Sequence, residues 1–144
     1  MSIRIEQNIW IDRPVADVFS FLVEPANFPR YIPGIVESER IGGAAPAPGD
    51  QIRSQLTVLG KKMEVVAEWT RLEPDSAIAS RNVAGMPVDM LTTFHEENGG
   101  TRVERVLNME PQGFFGSITA PLVRRTAERN AVTEFETLKE LLEN

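Results

Sequence analysis

The chain has 144 residues, a length at which a single domain spanning 1–144 buries a core without cross-links. It contains no cysteine, which excludes disulfides and thiolate chemistry, and its one histidine, His95, argues against a histidine-based metal centre. The formal net charge of −6 argues against nucleic acid or an anionic membrane as the main partner.

The N-terminal part of the chain predicts one strand and two short helices. Residues 3–12 alternate apolar and polar side chains, as in a half-buried strand. The segment RPVADVFSFL (13–22) predicts a helix, with Pro14 in its first turn. Its apolar stripe consists of Val15, Val18, Phe19 and Leu22. Prolines interrupt the segment that follows and leave a second, shorter helix near Asn27–Tyr31.

From residue 35 onward the pattern predicts six strands joined by turns. The predicted strands are 35–41, 51–59, 62–72, 76–83, 88–96 and 101–109. Gly60-Lys61, Pro74-Asp75 and Asn98-Gly99 are the predicted hairpin turns, and Asn-Gly is the strongest of these signals. Gly85, Met86 and Pro87 join the fourth and fifth of these strands, and GGAAPAPGD (42–50) is a loop.

The C-terminal segment predicts one long helix over Ala120–Leu142. Its apolar stripe is Val123, Ala127, Ala131, Phe135, Leu138, Leu141 and Leu142. Pro121 either lies in the first turn, with Thr119 as N-cap, or kinks a helix that begins near Phe114. At about 100° per residue, Glu134 and Arg124 both fall on the arc that faces the sheet.

The chain as a whole resembles a known superfamily. The opening IRIEQNIWIDRPVADVFSFLVEPANFPRYIPGI, the series of hairpins and the closing RNAVTEFETLKELLE are similar to START/Bet v 1-like (SRPBCC) proteins, in their polyketide cyclase/dehydrase-like branch. The resemblance spans nearly the whole chain. It implies an α+β helix-grip fold: a seven-stranded antiparallel sheet wrapped around a long C-terminal helix, two short helices between strands one and two, and a hydrophobic cavity.

The turns predict which side chains face the interior, because side chains alternate along a strand. The predicted inward pairs are Leu56–Val65, Ser54–Ala67, Ile52–Trp69, Trp69–Ser80, Ala67–Asn82, Phe94–Val103, Thr92–Arg105 and Met90–Leu107. On the solvent face, Arg53 and Arg81 flank Glu68 in a cross-strand row of charges. His95 also faces solvent, so we interpret it as a surface histidine.

The interior face contains polar side chains that an ordinary core does not need. Each buried polar group without a partner costs about 1–3 kcal/mol, and a cavity that holds water or a ligand removes this difficulty. We therefore predict a ligand site between sheet and helix. Its predicted residues are Ser54, Leu56, Met63, Val65, Trp69, Ser80, Asn82, Met90, Thr92, Phe94, Arg105 and Leu107.

Arg105 lies in the apolar phase of the strand VERVLNM. Two interpretations are open. Arg105 pairs with Glu134 of the facing helix, since buried charges are usually paired, or it anchors a carboxylate, enol or phenolate of a ligand. As catalytic candidates, Arg105 would stabilise a developing enolate and Glu134 would shuttle a proton.

The resemblance implies that the protein binds a small hydrophobic molecule, lipid-, polyketide- or aromatic-like, as a carrier or sensor. The alternatives are a polyketide cyclase/dehydratase-like enzyme acting in the same cavity and an accessory factor for the maturation of a larger complex. Phe114, Phe115 and Ile118 either gate the cavity or pack beneath the first two helices. We expect a cytoplasmic monomer or homodimer, without metal or cofactor, without nucleic acid and without stable membrane insertion.

Overall fold

The computed structural model describes residues 2–112 and 120–144. Its strands are β1 (Ile3–Ile11), β2 (Ile35–Ile41), β3 (Gln51–Val58), β4 (Lys61–Glu73), β5 (Ala77–Ala84), β6 (Val88–Glu97) and β7 (Gly100–Met109). Its helices are α1 (Val15–Leu22), α2 (Phe28–Tyr31) and α3 (Ala120–Glu143), and a 3₁₀ turn precedes α2. The predicted α+β architecture is confirmed, with element ends shifted by one or two residues.

The strands form one antiparallel sheet in the order β1-β7-β6-β5-β4-β3-β2. From β2 to β7, strands that are consecutive along the chain are neighbours in the sheet, while β1 lies beside β7 at the far edge. The two helices α1 and α2 interrupt the chain between β1 and β2, the two outer strands of the sheet. The long helix α3 packs against the sheet and supplies the second layer.

Two buried clusters attach α3 to the rest of the molecule. Phe135, Leu138 and Leu142 pack in the larger cluster with side chains of α1 and the sheet. Val123, more than two turns earlier, packs with Ile3 and Ile5 of β1. The inward positions between these attachments are small or polar, so they leave space between helix and sheet. Those positions are Thr126, Ala127, Asn130, Ala131 and Glu134.

The hairpin β6–β7 has the predicted register. Asn98 and Gly99 form its turn, with φ of 50° and 78°, as a type I′ turn requires. Thr92 therefore lies opposite Arg105, and Met90 lies opposite Leu107. This pairing confirms that Arg105 belongs to the interior face of the sheet.

The register between β4 and β5 is also confirmed at its centre, where Trp69 pairs with Ser80. The turn itself is longer than predicted, since Glu73 pairs with Ala77 and Asp75 has a φ of 60°. A bulge between Trp69 and Arg71 takes up the extra residue, so the inner part of the pairing is unchanged.

The predicted register between β3 and β4 is wrong by two residues. The turn consists of Leu59 and Gly60, with φ of 52° and 78°, and Val58 pairs with Lys61. Leucine strongly disfavours a left-handed backbone, which is why the sequence indicated Gly60 as the first turn residue instead. A shift of two keeps each side chain on its predicted face and changes only its partner.

The shift changes four predicted pairs. Ser54 lies opposite Val65, and Ile52 lies opposite Ala67 instead of Trp69. Arg53 lies opposite Val66, and its guanidinium lies 3.3 Å from Glu39 and 3.9 Å from Glu64. Leu56 consequently pairs with Met63. The solvent-facing pair Arg81–Glu68 is present, at 3.5 Å.

The prediction that Arg124 faces inward is wrong. Its side chain is exposed and lies 3.8 Å from Glu128 on the helix surface. Val123 occupies the inward position instead, and the next residue is turned by about 100°. Phe114, Phe115, Ile118 and Thr119 lie outside the described residues. No helix in the two described ranges is long and apolar enough to cross a membrane.

Candidate functional site

A cavity of about 340 Å³ lies between the sheet and α3. Its volume is near the lower end of the roughly 300–1,000 Å³ that is typical of small-molecule sites. Strands β1 and β3 to β7 form one wall, α3 forms the opposite wall, and the segment from α2 to the start of β2 closes the remaining side. Most of the lining is apolar, because the inward faces of the strands carry aliphatic and methionine side chains.

All but one of the predicted ligand-site residues line this cavity. They are Ser54, Leu56, Met63, Val65, Trp69, Ser80, Asn82, Met90, Thr92, Arg105 and Leu107. Phe94 is the exception, since it is absent from the lining and buried in the core. Its ring packs edge-on against Phe19 of α1, with 5.4 Å between the ring centroids. Phe94 thus faces inward as predicted, at a position that α1 covers.

Arg105 and Glu134 form an ion pair across the cavity wall. Nη1 of Arg105 donates a hydrogen bond to Oε2 of Glu134, and the two side chains are only 10% and 12% exposed. Nε of Arg105 donates to Oγ1 of Thr92, at 2.9 Å. The guanidinium also lies over the ring of Phe135, at 5.1 Å from its centroid. These contacts hold the guanidinium in one place and offset much of its charge.

Tyr31 lines the cavity beside this ion pair, although it was not among the predicted ligand-site residues. It is only 4% exposed, and its pKa is raised above the ordinary value of 10.0. Burial is the main cause, the negative charge of Glu134 adds to it, and Arg105 partly offsets it. The phenol therefore stays protonated and available as a hydrogen-bond donor. Within the described residues, its hydroxyl makes no side-chain hydrogen bond.

Two other polar residues of the lining are bonded within the protein. The hydroxyls of Ser54 and Ser38 lie 2.7 Å apart, on neighbouring strands. Nδ2 of Asn82 donates to the carbonyl oxygen of Met86 at 2.7 Å, and so holds the turn between β5 and β6. Ser80 has no side-chain hydrogen bond in the part of the chain that the structure describes. The polar groups left to meet a ligand are therefore fewer than the sequence indicated.

Four polar residues of the lining were missed in the sequence analysis: Gln7, Tyr31, Thr126 and Asn130. Gln7 had a readable signal, because it interrupts an otherwise isoleucine-rich inward phase of β1. In the sheet it lies opposite Arg105. Asn130 lies one helical turn before Glu134, so helical periodicity predicts that it also faces the sheet. Tyr31 had no local signal, since α2 has only four residues.

His95 lies on the outer face of the sheet, as predicted. Its Nε2 is 3.6 Å from a carboxylate oxygen of Glu104, and both side chains are more than half exposed. It is not part of the cavity lining. Among the described residues, no group of three or more histidine, aspartate and glutamate side chains is placed to hold a metal ion.

Comparison with known proteins gives one family match. The sequence model of the family described as "Polyketide cyclase / dehydrase and lipid transport" matches residues 2–143. A comparison with curated proteins found no match.

Several solved structures share the fold. A START superfamily protein from Mycobacterium smegmatis is 11% identical, with a TM-score of 0.81 over 97% of both chains. Ara h 8.0201 is 15% identical, with a TM-score of 0.73 over 99% of this chain and 98% of its own. The Zhui aromatase/cyclase from Streptomyces sp. R1128 is 17% identical, with a TM-score of 0.75 over 99% of this chain and 94% of its own. At these identities the similarity shows the fold alone.

Proposed function

This chain belongs to the polyketide cyclase/dehydrase and lipid transport family, and we propose that it binds a small hydrophobic molecule in its internal cavity, as a carrier or sensor. The observation that carries the proposal is the cavity of about 340 Å³ between the sheet and α3. An apolar ligand placed there loses its contact with water, which contributes roughly 25 cal/mol for each Å² buried.

The methionines of the lining support a binding role. Met63, Met86, Met90 and Met109 all contribute to the cavity wall. Methionine is unbranched and has a polarisable thioether, so it adapts to ligands of different shape. The small side chains of Ala127 and Ala131 on α3 preserve the space that a ligand would occupy.

The pairing of Arg105 with Glu134 favours binding over catalysis. Each candidate catalytic group is the other's partner, and Arg105 is further held by Thr92. A guanidinium that already bonds a carboxylate is less able to stabilise a developing enolate. Oε2 of Glu134 likewise already accepts a hydrogen bond from Arg105, which occupies the oxygen that would take up a proton.

Filling the cavity tests the binding proposal. We expect N-phenyl-1-naphthylamine, an uncharged fluorescent aromatic, to bind the wild-type protein with an increase in fluorescence. Ala131→Leu places a larger side chain in the cavity and should weaken binding by about tenfold or more, because it occupies ligand volume. Val132→Leu is the control, since Val132 is 56% exposed on the same helix.

Two results would contradict the proposal. One is the absence of any probe binding to folded wild-type protein. The other is equal binding to Ala131→Leu and to the wild type, which would place the probe elsewhere. In a separate experiment, mass spectrometry of the protein purified under native conditions from its own source would identify a ligand that co-purifies.

A second candidate is a cyclase/dehydratase acting in the same cavity. One observation favours it: Tyr31, Arg105 and Glu134 bring three ionisable groups together at the cavity wall, and such clusters are common in active sites. Turnover of a poly-β-ketone substrate that Glu134→Gln and Arg105→Met both abolish, with the fold retained, would support it. Full activity in both variants would reject these roles.

A further inference from the structure

We infer that the cavity selects an uncharged ligand and excludes organic anions, because Arg105 and Glu134 present it with a neutralised pair instead of a cation. The inference rests on the proposed binding function and specifies its ligand class. It also runs against the simplest interpretation of a buried arginine, which is an anchor for a carboxylate.

The charges of the lining carry the first step. Among the described residues that form the cavity wall, Arg105 and Glu134 are the only ones with charged side chains. They are bonded directly to each other, and each is about nine-tenths buried. Their charges cancel at short range, so the wall presents no net charge to a ligand.

An anionic ligand would meet a carboxylate at the place where it needs a cation. To reach Nη1 of Arg105 it must displace Glu134, which leaves that carboxylate buried without a partner. To bind beside the pair it must lie close to Glu134, and two like charges repel strongly where little water screens them. A cationic ligand meets the equivalent problem at Arg105. Whether a charged ligand displaces one member of the pair or lies beside it, one buried ion is left without a partner. The cavity therefore disfavours charged ligands.

Two of the remaining polar groups suit a neutral oxygen. Tyr31 is 4% exposed, lines the cavity and has a raised pKa, so it keeps its proton and can donate to an acceptor. The hydroxyl of Ser80 is a second donor on the sheet side. These groups match a ketone, ester or hydroxyl oxygen on an otherwise apolar molecule.

A pair of probes with the same aromatic skeleton tests the inference. N-phenyl-1-naphthylamine is uncharged, and 1-anilinonaphthalene-8-sulfonate carries one sulfonate on that skeleton. We expect the wild-type protein to bind the uncharged probe at least about tenfold more tightly at neutral pH. Each affinity is measured by fluorescence titration, and competition between the probes shows whether they share a site.

Glu134→Gln tests the cause. Removing the carboxylate leaves the charge of Arg105 without its counter-ion, since arginine stays protonated in proteins. We expect the sulfonated probe to gain about tenfold or more in affinity, while the uncharged probe changes little. Glu136→Gln is the control, because Glu136 is exposed on the same helix and its loss changes the net charge equally. The double variant Arg105→Met/Glu134→Gln should not show this gain in affinity for the sulfonated probe, because it also lacks the cation.

Each outcome has a distinct meaning. If the wild type binds both probes equally at one site, the charge inference is overturned while the binding proposal stands. If it binds neither, the binding proposal fails, and the inference fails with it. If Glu136→Gln and Glu134→Gln gain equally in affinity for the sulfonated probe, the effect comes from net charge. That result would reject the proposed role of the Arg105–Glu134 pair. If Glu134→Gln does not fold, the ratio of the two probes' affinities for the wild-type protein still tests the inference.

Discussion

At the scale of single residues, the interior of this protein is organised around one guanidinium. Arg105 bonds Glu134 and Thr92 and lies over Phe135. Burying a charge costs hydration free energy, and a partner of opposite charge offsets that cost. Removing either partner leaves the other charge buried and unpaired. The stability of the fold and the proposed preference for an uncharged ligand therefore depend on the same pair.

A double-mutant cycle measures the coupling within this pair. Arg105→Met should lower the free energy of unfolding by about 3–5 kcal/mol, because Glu134 is left buried without a cation. Glu134→Gln should cost less, since the amide oxygen still accepts a hydrogen bond from Arg105. The double variant should lose less than the two single losses combined, with a coupling of about 1–3 kcal/mol. Additive losses in urea denaturation would contradict the pairing.

Tyr31 gives a second prediction at this scale, because it is the only tyrosine in the chain. Its pKa is raised by burial and by Glu134, so the folded protein holds the phenolic proton more tightly than the unfolded chain does. The resulting stability is fully present below the unfolded pKa, about 10, and is lost progressively as the pH rises above it.

Absorbance of tyrosinate provides the measurement. The wild-type protein should develop it only at a pH well above 10, together with unfolding, while urea-unfolded protein develops it near pH 10. The Tyr31→Phe variant should lose less stability than the wild type as the pH rises above about 10, because it has no phenol to ionise. Ionisation of Tyr31 near pH 10 in protein that is still folded would contradict its placement in the cavity wall.

At the scale of elements, the loop between β2 and β3 shows how one side chain organises a segment without regular structure. Oδ2 of Asp50 accepts hydrogen bonds from Nη1 of Arg40, at 2.8 Å, and from the backbone amide of Ala47, at 2.9 Å. Asp50 is only 9% exposed. The backbone of Gly42 lies against this carboxylate, so there is no room for a side chain there.

Adjacent glycines supply a matched test of this packing. A Cβ on Gly42 would lie 2.3 Å from Oδ1 of Asp50, whereas a Cβ on Gly43 would meet nothing within 4 Å. Gly42→Ala should therefore displace the carboxylate and lower the free energy of unfolding by about 1–3 kcal/mol. Gly43→Ala should be neutral or stabilise by a few tenths of a kcal/mol, by restricting the unfolded chain. Equal effects in thermal unfolding would contradict this account.

At the scale of the whole molecule, α3 is attached to the sheet at both ends and leaves a cavity between the attachments. Unfilled volume in a core costs stability, so a ligand that fills it should stabilise the folded state. The cavity is thus the candidate site, and binding there would be coupled to folding.

Ligand-linked stability follows from mass action. N-phenyl-1-naphthylamine at tenfold its Kd should raise the free energy of unfolding by about 1.4 kcal/mol, which is a rise in Tm of about 3–5 °C. Ala131→Leu should show no such rise, because its cavity is occupied by its own side chain. Scanning calorimetry with and without the probe makes the comparison. A similar rise in both proteins would place the stabilising site outside the cavity.

The sequence by itself determined what depends on neighbours along the chain. Alternation and turn residues predicted every strand, and the Asn98-Gly99 turn placed Arg105 on the interior face, opposite Thr92. Helical periodicity likewise turned Glu134 toward the sheet. These features are local, because side-chain direction follows from the backbone period of the element itself.

Only the tertiary structure decided what depends on distant contacts. Leu59 takes a left-handed backbone against its own preference, because the pairing of β3 with β4 outweighs the local cost, and the register shifts with it. Phe94 faces inward but is covered by α1, while Tyr31 reaches the cavity from a four-residue helix. That Arg105 bonds Glu134 was one of two alternatives in the sequence. The fold selects it by bringing a strand and a helix together and desolvating both charges at once.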